Sequence, residues 1–120
     1  MFGEFVREKR IQQGLTLREF CKILNFDPSN WSKIEREKAQ PPQSKDMLDK
    51  IADLLNLAAG SQDRLKFYDL ASLQGGRIPG DILNDKELVE NLPLVFRTIR
   101  GEKPSRQEME KLIDLIKGED

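Results

Sequence analysis

Apolar residues along the chain recur at steps of three and four, and nowhere alternate at every second position, so the pattern predicts helices and no strands. The first helix is expected at about 3–13, with Phe2, Val6 and Arg10 on one face and Gly14 in place to end it. Phe5 and Ile11 lie off that face, where the C-terminal part of the chain could cover them. Thr16, with Glu19 three residues on, reads as a capping box. It opens a second helix over 17–24 that buries Leu17, Phe20, Cys21 and Leu24. Asn25 follows, a residue that tolerates the left-handed backbone of a helix end. Asp27 caps a third helix with Pro28 at its first position and Trp31 and Ile34 inward. That helix should stop near Arg36 or Glu37, ahead of Pro41 and Pro42.

Ser44 caps a fourth helix through Leu55, whose stripe is Met47, Leu48, Ile51, Ala52 and Leu55. Ser61 opens a fifth, with Leu65, Tyr68, Ala71 and Leu73 expected inward. Residues 74–80, rich in glycine, read as a linker or bend. Beyond it, Leu92, Val95, Phe96 and Ile99 form a stripe in which Pro93 suits a first turn. Ser105 and Glu108 make a second capping box, opening a last helix with Met109, Leu112, Ile113 and Ile116 on one face. The expected organisation is all-α: a domain over 1–73 and a helical extension over 74–120.

Composition narrows the chemistry. The chain has 120 residues, no histidine and one cysteine. The commonest metal ligand and neutral-pH base are therefore missing, and no internal disulfide can form, which suits a reducing cytoplasm. No run approaches the roughly 18–20 apolar residues of a membrane span, and the N-terminus lacks the apolar region of a signal peptide. Net charge is −1, yet residues 1–40 hold 8 basic and 6 acidic side chains while 41–120 hold 12 and 15. A mildly basic front and acidic back fit a nucleic-acid-facing half joined to one facing elsewhere. Asp46, Asp49 and Asp53 share the outside of the fourth helix without histidine or cysteine company, which reads as a solvated face. No phosphate-binding glycine loop is present, and catalysis, metal and cofactor are not expected.

Two short helices over 17–24 and 28–36, joined by a tight turn, have the spacing of a helix-turn-helix. The segment Leu15–Pro41, LTLREFCKILNFDPSNWSKIEREKAQP, resembles the Xre, or lambda-repressor/Cro-like, helix-turn-helix family. Leu15, Thr16, Ser32, Ile34, Glu35 and Pro41 match the family pattern outright. Phe20 and Trp31 are apolar replacements and Cys21 a small one; the likeness covers about 2–57. It implies a lambda-repressor-like five-helix DNA-binding domain, and an ion pair between Arg10 and Glu35 that braces the first helix against the third. Asn25 stands for a turn glycine, Glu37 for a terminal glycine, and Asp27 for a Ser or Thr cap, where its charge opposes a nearby phosphate.

On that reading the third helix enters the major groove. Ser29, Asn30 and Lys33 are the candidate base readers, each good contact contributing about 1–3 kcal/mol of discrimination. Arg18, Ser32, Arg36 and Lys38 are the candidate phosphate contacts, helped by amides at the helix starts. The expected function is a repressor binding double-stranded DNA as a homodimer, with half-sites about 34–36 Å apart. The extension has three competing uses: padding the core, forming the dimer interface, or docking a protein such as a small toxin. The candidate interface is Leu92, Val95, Phe96, Ile99, Met109, Leu112, Ile113 and Ile116. Short chains of this kind also resemble antitoxins that repress their own operons, which is the alternative function.

Overall fold

A computed structural model describes residues 1–117. Among them the regular elements are all helical: α1 (Phe2–Gln12), α2 (Leu17–Leu24), α3 (Pro28–Glu35), α4 (Lys45–Leu54), α5 (Gln62–Gln74), α6 (Gly80–Leu83), α7 (Lys86–Ile99) and α8 (Arg106–Lys117). They form two compact units, Met1–Arg77 and Ile78–Asp120.

Local chemistry explains most helix starts in the first unit. Thr16 accepts from the Glu19 amide and Glu19 accepts from the Thr16 amide, both at 3.1 Å, which closes the capping box. That bond to the Thr16 amide chiefly holds the Glu19 carboxyl below its ordinary range. The box is therefore complete above ordinary carboxylate pKa values and is lost as pH falls through the lowered one. Asp27, Ser44 and Ser61 cap α3, α4 and α5 through the one-way bond alone, each side chain accepting from the amide three residues on.

Packing then fixes the arrangement. α1 lies against α3 and α5, α2 against α3 and α4, and α4 against α5. Phe2, Val6, Phe20, Trp31, Ile51, Leu55 and Phe67 are fully buried in the shared core. Phe2 and Phe67 stack with centroids 5.3 Å apart, and Phe20 and Trp31 at 4.9 Å. Glycine is required at position 3. A Cβ there would run into the carbonyl oxygens of Ile34 and Glu35 at the end of α3.

Several expectations need correction here. In α5 the inward residues are Phe67 and Ala71, whereas Leu65 and Leu73 are both 56% exposed. The rings of Phe2 and Phe5 on α1 select the Phe67 face, and Leu65 and Leu73 lie on the other side of the turn. Leu17 is only partly buried, since it sits in the first turn of α2 at the rim of the core. Phe5 needs no cover from the extension: it is buried, and the ammonium groups of Lys9 and Lys66 each lie 5.6 Å from its ring centroid. Ile11 stays exposed. The aspartates of α4 do more than face solvent. The Tyr68 hydroxyl donates to Asp49, and Arg64 Nη1 donates to Asp53 Oδ1 at 2.8 Å, tying α4 to α5.

In the second unit, α6 packs on α7 and α7 on α8. The 74–80 segment does not run entirely as linker, because Gly80 begins the single turn of α6. Pro93 is not in a first turn. Asp85 accepts from the Leu88 amide at 3.1 Å and starts α7 at Lys86, which puts Pro93 in the helix interior. Having no N–H, Pro93 leaves the Val89 carbonyl without its usual partner. Ser105 and Glu108 form the second capping box, with bonds of 3.0 and 3.2 Å. Of the apolar stripes only Leu112 is buried; Ile99 is 77% and Ile116 84% exposed. Leu88, Leu92 and Val95 of α7 and Leu112, Leu115 and Ile116 of α8 line an apolar groove of about 380 Å³.

Candidate nucleic-acid interface

The turn between α2 and α3 is built by one residue in a left-handed conformation. Asn25 has φ 53°. Its N–H reaches the Lys22 carbonyl at 3.3 Å, and the Phe26 N–H reaches the Cys21 carbonyl at 2.9 Å. These two bonds close α2 as a Schellman motif and send the chain directly into the Asp27 cap of α3. Phe26 then meets the Trp31 ring edge-on at 5.4 Å, which seats the turn on the core.

With Trp31, Ile34 and Glu35 buried, the opposite side of α3 faces outward. Ser29, Asn30 and Lys33 are all exposed there, one helical turn apart or adjacent. The Asn30 amide N–H is taken by Asp27 Oδ2 at 3.2 Å, so its side chain is the part left to act. Arg36 is exposed, with Nε donating to the Ser32 carbonyl at 3.3 Å, and Ser32 itself is half-buried. Arg18 is exposed in the first turn of α2, and Lys38 is exposed two residues beyond the cap of α3. The seven side chains thus come from α2, α3 and the segment that follows α3. Asp27 at the start of α3, Glu19 beside Arg18, and Glu37 between Arg36 and Lys38 are exposed carboxylates set among them.

Behind this face, Arg10 and Glu35 form a two-pronged pair. Arg10 Nε donates to Glu35 Oε2 at 2.8 Å and Nη2 to Oε1 at 2.9 Å. Nη1 continues to the Leu15 carbonyl at 2.9 Å, and Trp31 Nε1 donates to Glu35 Oε2 at 2.6 Å. The two side chains are buried, and the bond to Glu35 chiefly raises the Arg10 pKa further. Both carboxylate oxygens of Glu35 are therefore occupied, which is the condition for holding a charge inside a protein.

Glu37 is a residue whose contacts sequence reasoning did not foresee. It takes φ 62°, a left-handed backbone that costs a side-chain-bearing residue about 1–2 kcal/mol. The displaced glycine of the family pattern was the available signal, but it did not indicate what the glutamate touches. Among the described residues, no group of three or more His, Cys, Asp or Glu side chains could hold a metal ion. No described helix is long and apolar enough to cross a membrane.

A family model described as a helix-turn-helix domain matches residues 1–65, more than half of the chain. No curated protein and no solved structure matches it. With the left-handed turn at Asn25 and an outward-facing α3, the chain belongs to the helix-turn-helix family, of the Xre/Cro type.

Proposed function

We propose that this protein is a sequence-specific regulator of transcription that binds double-stranded DNA as a homodimer and represses from a palindromic operator. The observation that carries the reading is the exposed row of Ser29, Asn30 and Lys33 on a helix whose other side is held by buried Trp31, Ile34 and Glu35. An asparagine amide suits the adenine edge and a lysine the guanine acceptors, so Asn30 and Lys33 read bases. Arg18, Arg36 and Lys38 neutralise phosphates, with Ser32 adding a hydroxyl contact.

Selection from a random duplex library, followed by titration at several salt concentrations, tests this. Binding should be salt-dependent and should enrich one motif. Asn30→Ala should relax preference at one base pair by about 1–3 kcal/mol, whereas Arg36→Ala should weaken all sequences alike and lower the salt slope by about 1. A library that enriches nothing removes the reading; an Asn30→Ala protein with an unchanged motif removes the register assigned to α3.

Few basic side chains per chain make a single copy a weak binder, because affinity scales with the phosphates neutralised. A second copy doubles that number. The apolar groove of α7 and α8 supplies the surface: Leu92, Val95 and Leu112 line it, with exposed Ile99 and Ile116 at its edges. Phe96, Met109 and Ile113, each more than two-fifths exposed, extend the apolar surface. A unit of about 40 residues rarely stays folded without help, and a twin chain is the partner always present where this one is made. Light scattering on the full chain should give a dimer, and Ile99→Glu with Ile116→Glu should give a monomer. A monomeric wild-type chain would transfer that surface to a different protein, as in the antitoxin alternative.

A further inference from the structure

α3 ends in a left-handed closure that no local preference explains. The Glu37 N–H donates to the Ile34 carbonyl at 3.1 Å and the Lys38 N–H to the Lys33 carbonyl at 2.8 Å. These are the paired bonds of a Schellman motif, in which glycine is the usual left-handed residue. Glutamate persists at the position because its side chain is tied down. Oε1 accepts from the Glu4 amide at 3.1 Å, and Oε2 accepts from Gln74 Nε2 at 3.1 Å. Gln74 Oε1 in turn accepts from the Phe2 amide at 2.5 Å.

The consequence for α1 is that its first turn, which has no side-chain cap of its own, is capped across the fold by Glu37 and Gln74. Its amide end also meets the carbonyl end of α3 at Gly3, so opposite helix-dipole ends adjoin there. Partial burial pushes the Glu37 carboxyl up. The Glu4 amide, Gln74, the N-terminal ammonium and the Gly3 amide together outweigh it and leave the group below its ordinary value, charged at neutral pH.

We propose that Glu37 is a positioning residue for DNA reading, whose carboxylate locks the end of α3, and Lys38 just beyond it, to the first turn of α1 and the last turn of α5. This rests on the DNA-binding reading above. A helix held only by its apolar face is weakly fixed against rolling about its axis, and contacts made by outward side chains need their atoms held to within about 0.5 Å. Glu35 fixes α3 from the inside through Arg10; Glu37 fixes its end through α1 and α5. Lys33, Arg36 and Lys38 are then presented in one register. Glu37 itself touches no nucleic acid in this scheme.

The test compares full-length wild type, Glu37→Gly, Glu37→Gln and Gln74→Ala. Each is titrated on the duplex that wild type selects and on a random duplex, and each is melted. Glycine relieves the left-handed strain while removing the side-chain bonds, so Glu37→Gly should melt close to wild type. It should lose about tenfold in affinity for the selected duplex and little for the random one. Glu37→Gln keeps an acceptor for the Glu4 amide and should recover most of that loss. Gln74→Ala leaves the α3 closure intact and should show a smaller loss of the same kind. Wild-type discrimination in both Glu37→Gly and Gln74→Ala overturns the proposal, as does a fall in stability with selected and random affinity dropping together. A wild-type chain that selects no duplex is the separate failure of the DNA reading, and it takes this proposal with it.

Discussion

Arg10→Ala is expected to lower the stability of the protein by about 3–5 kcal/mol, read as a shift in the urea midpoint followed by far-UV circular dichroism. Arg10 and Glu35 are 8% and 7% exposed, so truncating the arginine strands a carboxylate inside the first unit. Only the Trp31 Nε1 donor remains on it, at 2.6 Å. The loss is a large part of the roughly 5–15 kcal/mol that holds a typical domain together. Arg10→Lys should recover only part of it, because an ammonium cannot reproduce the parallel two-pronged geometry or also reach the Leu15 carbonyl. A change below about 1 kcal/mol for Arg10→Ala would put the pair in the class of exposed surface bridges and remove its role as a brace.

Trp31→Ala should cost a similar amount, about 3–5 kcal/mol, through a different physical route. Trp31 is 0% exposed and its ring lies against those of Phe20 and Phe26, so deletion opens a void where α2, the turn and α3 meet. Trp31→Phe refills most of that void but leaves Glu35 short of one donor, at about 1–3 kcal/mol. Arg10 and Trp31 share Glu35, so the loss in the double alanine variant should depart from the sum of the two single losses by about 0.5–3 kcal/mol. Strict additivity in that cycle would show that the two side chains do not act on one carboxylate.

What could be read from the sequence was whatever a residue does within its own turn of chain. Thr16 with Glu19, Asp27, Ser44, Ser61, and Ser105 with Glu108 mark helix starts because each cap needs only an oxygen three residues ahead of an amide. Asn25 marks a turn because asparagine itself lowers the cost of the left-handed backbone. Where the answer depended on a distant partner, local signals failed. α5 carries two apolar rows, and only the rings of Phe2 and Phe5 decide that Phe67 is the buried one. Pro93 suggested a helix start, but the stronger oxygen of Asp85 set the start earlier and left the proline inside. Glu37 was the least legible. Glutamate has no left-handed preference, and its partners Glu4 and Gln74 lie 33 and 37 residues away. The outward residues of α3 were the easiest part of the site to name, since burial of Trp31 and Ile34 leaves them only one direction to face.

Cys21 has a practical consequence. It is the chain's one cysteine, 1% exposed on α2, whose crossing with α3 it helps to bury in the core, and burial raises its thiol pKa. Shielded and protonated, it is a poor target for maleimides while the domain stays folded. A cysteine introduced at a surface position would then be the single site a dye reaches, giving one reporter per polypeptide without first deleting a native sulfhydryl. Labelling of the unaltered chain would conversely serve as a clock for the opening of that crossing.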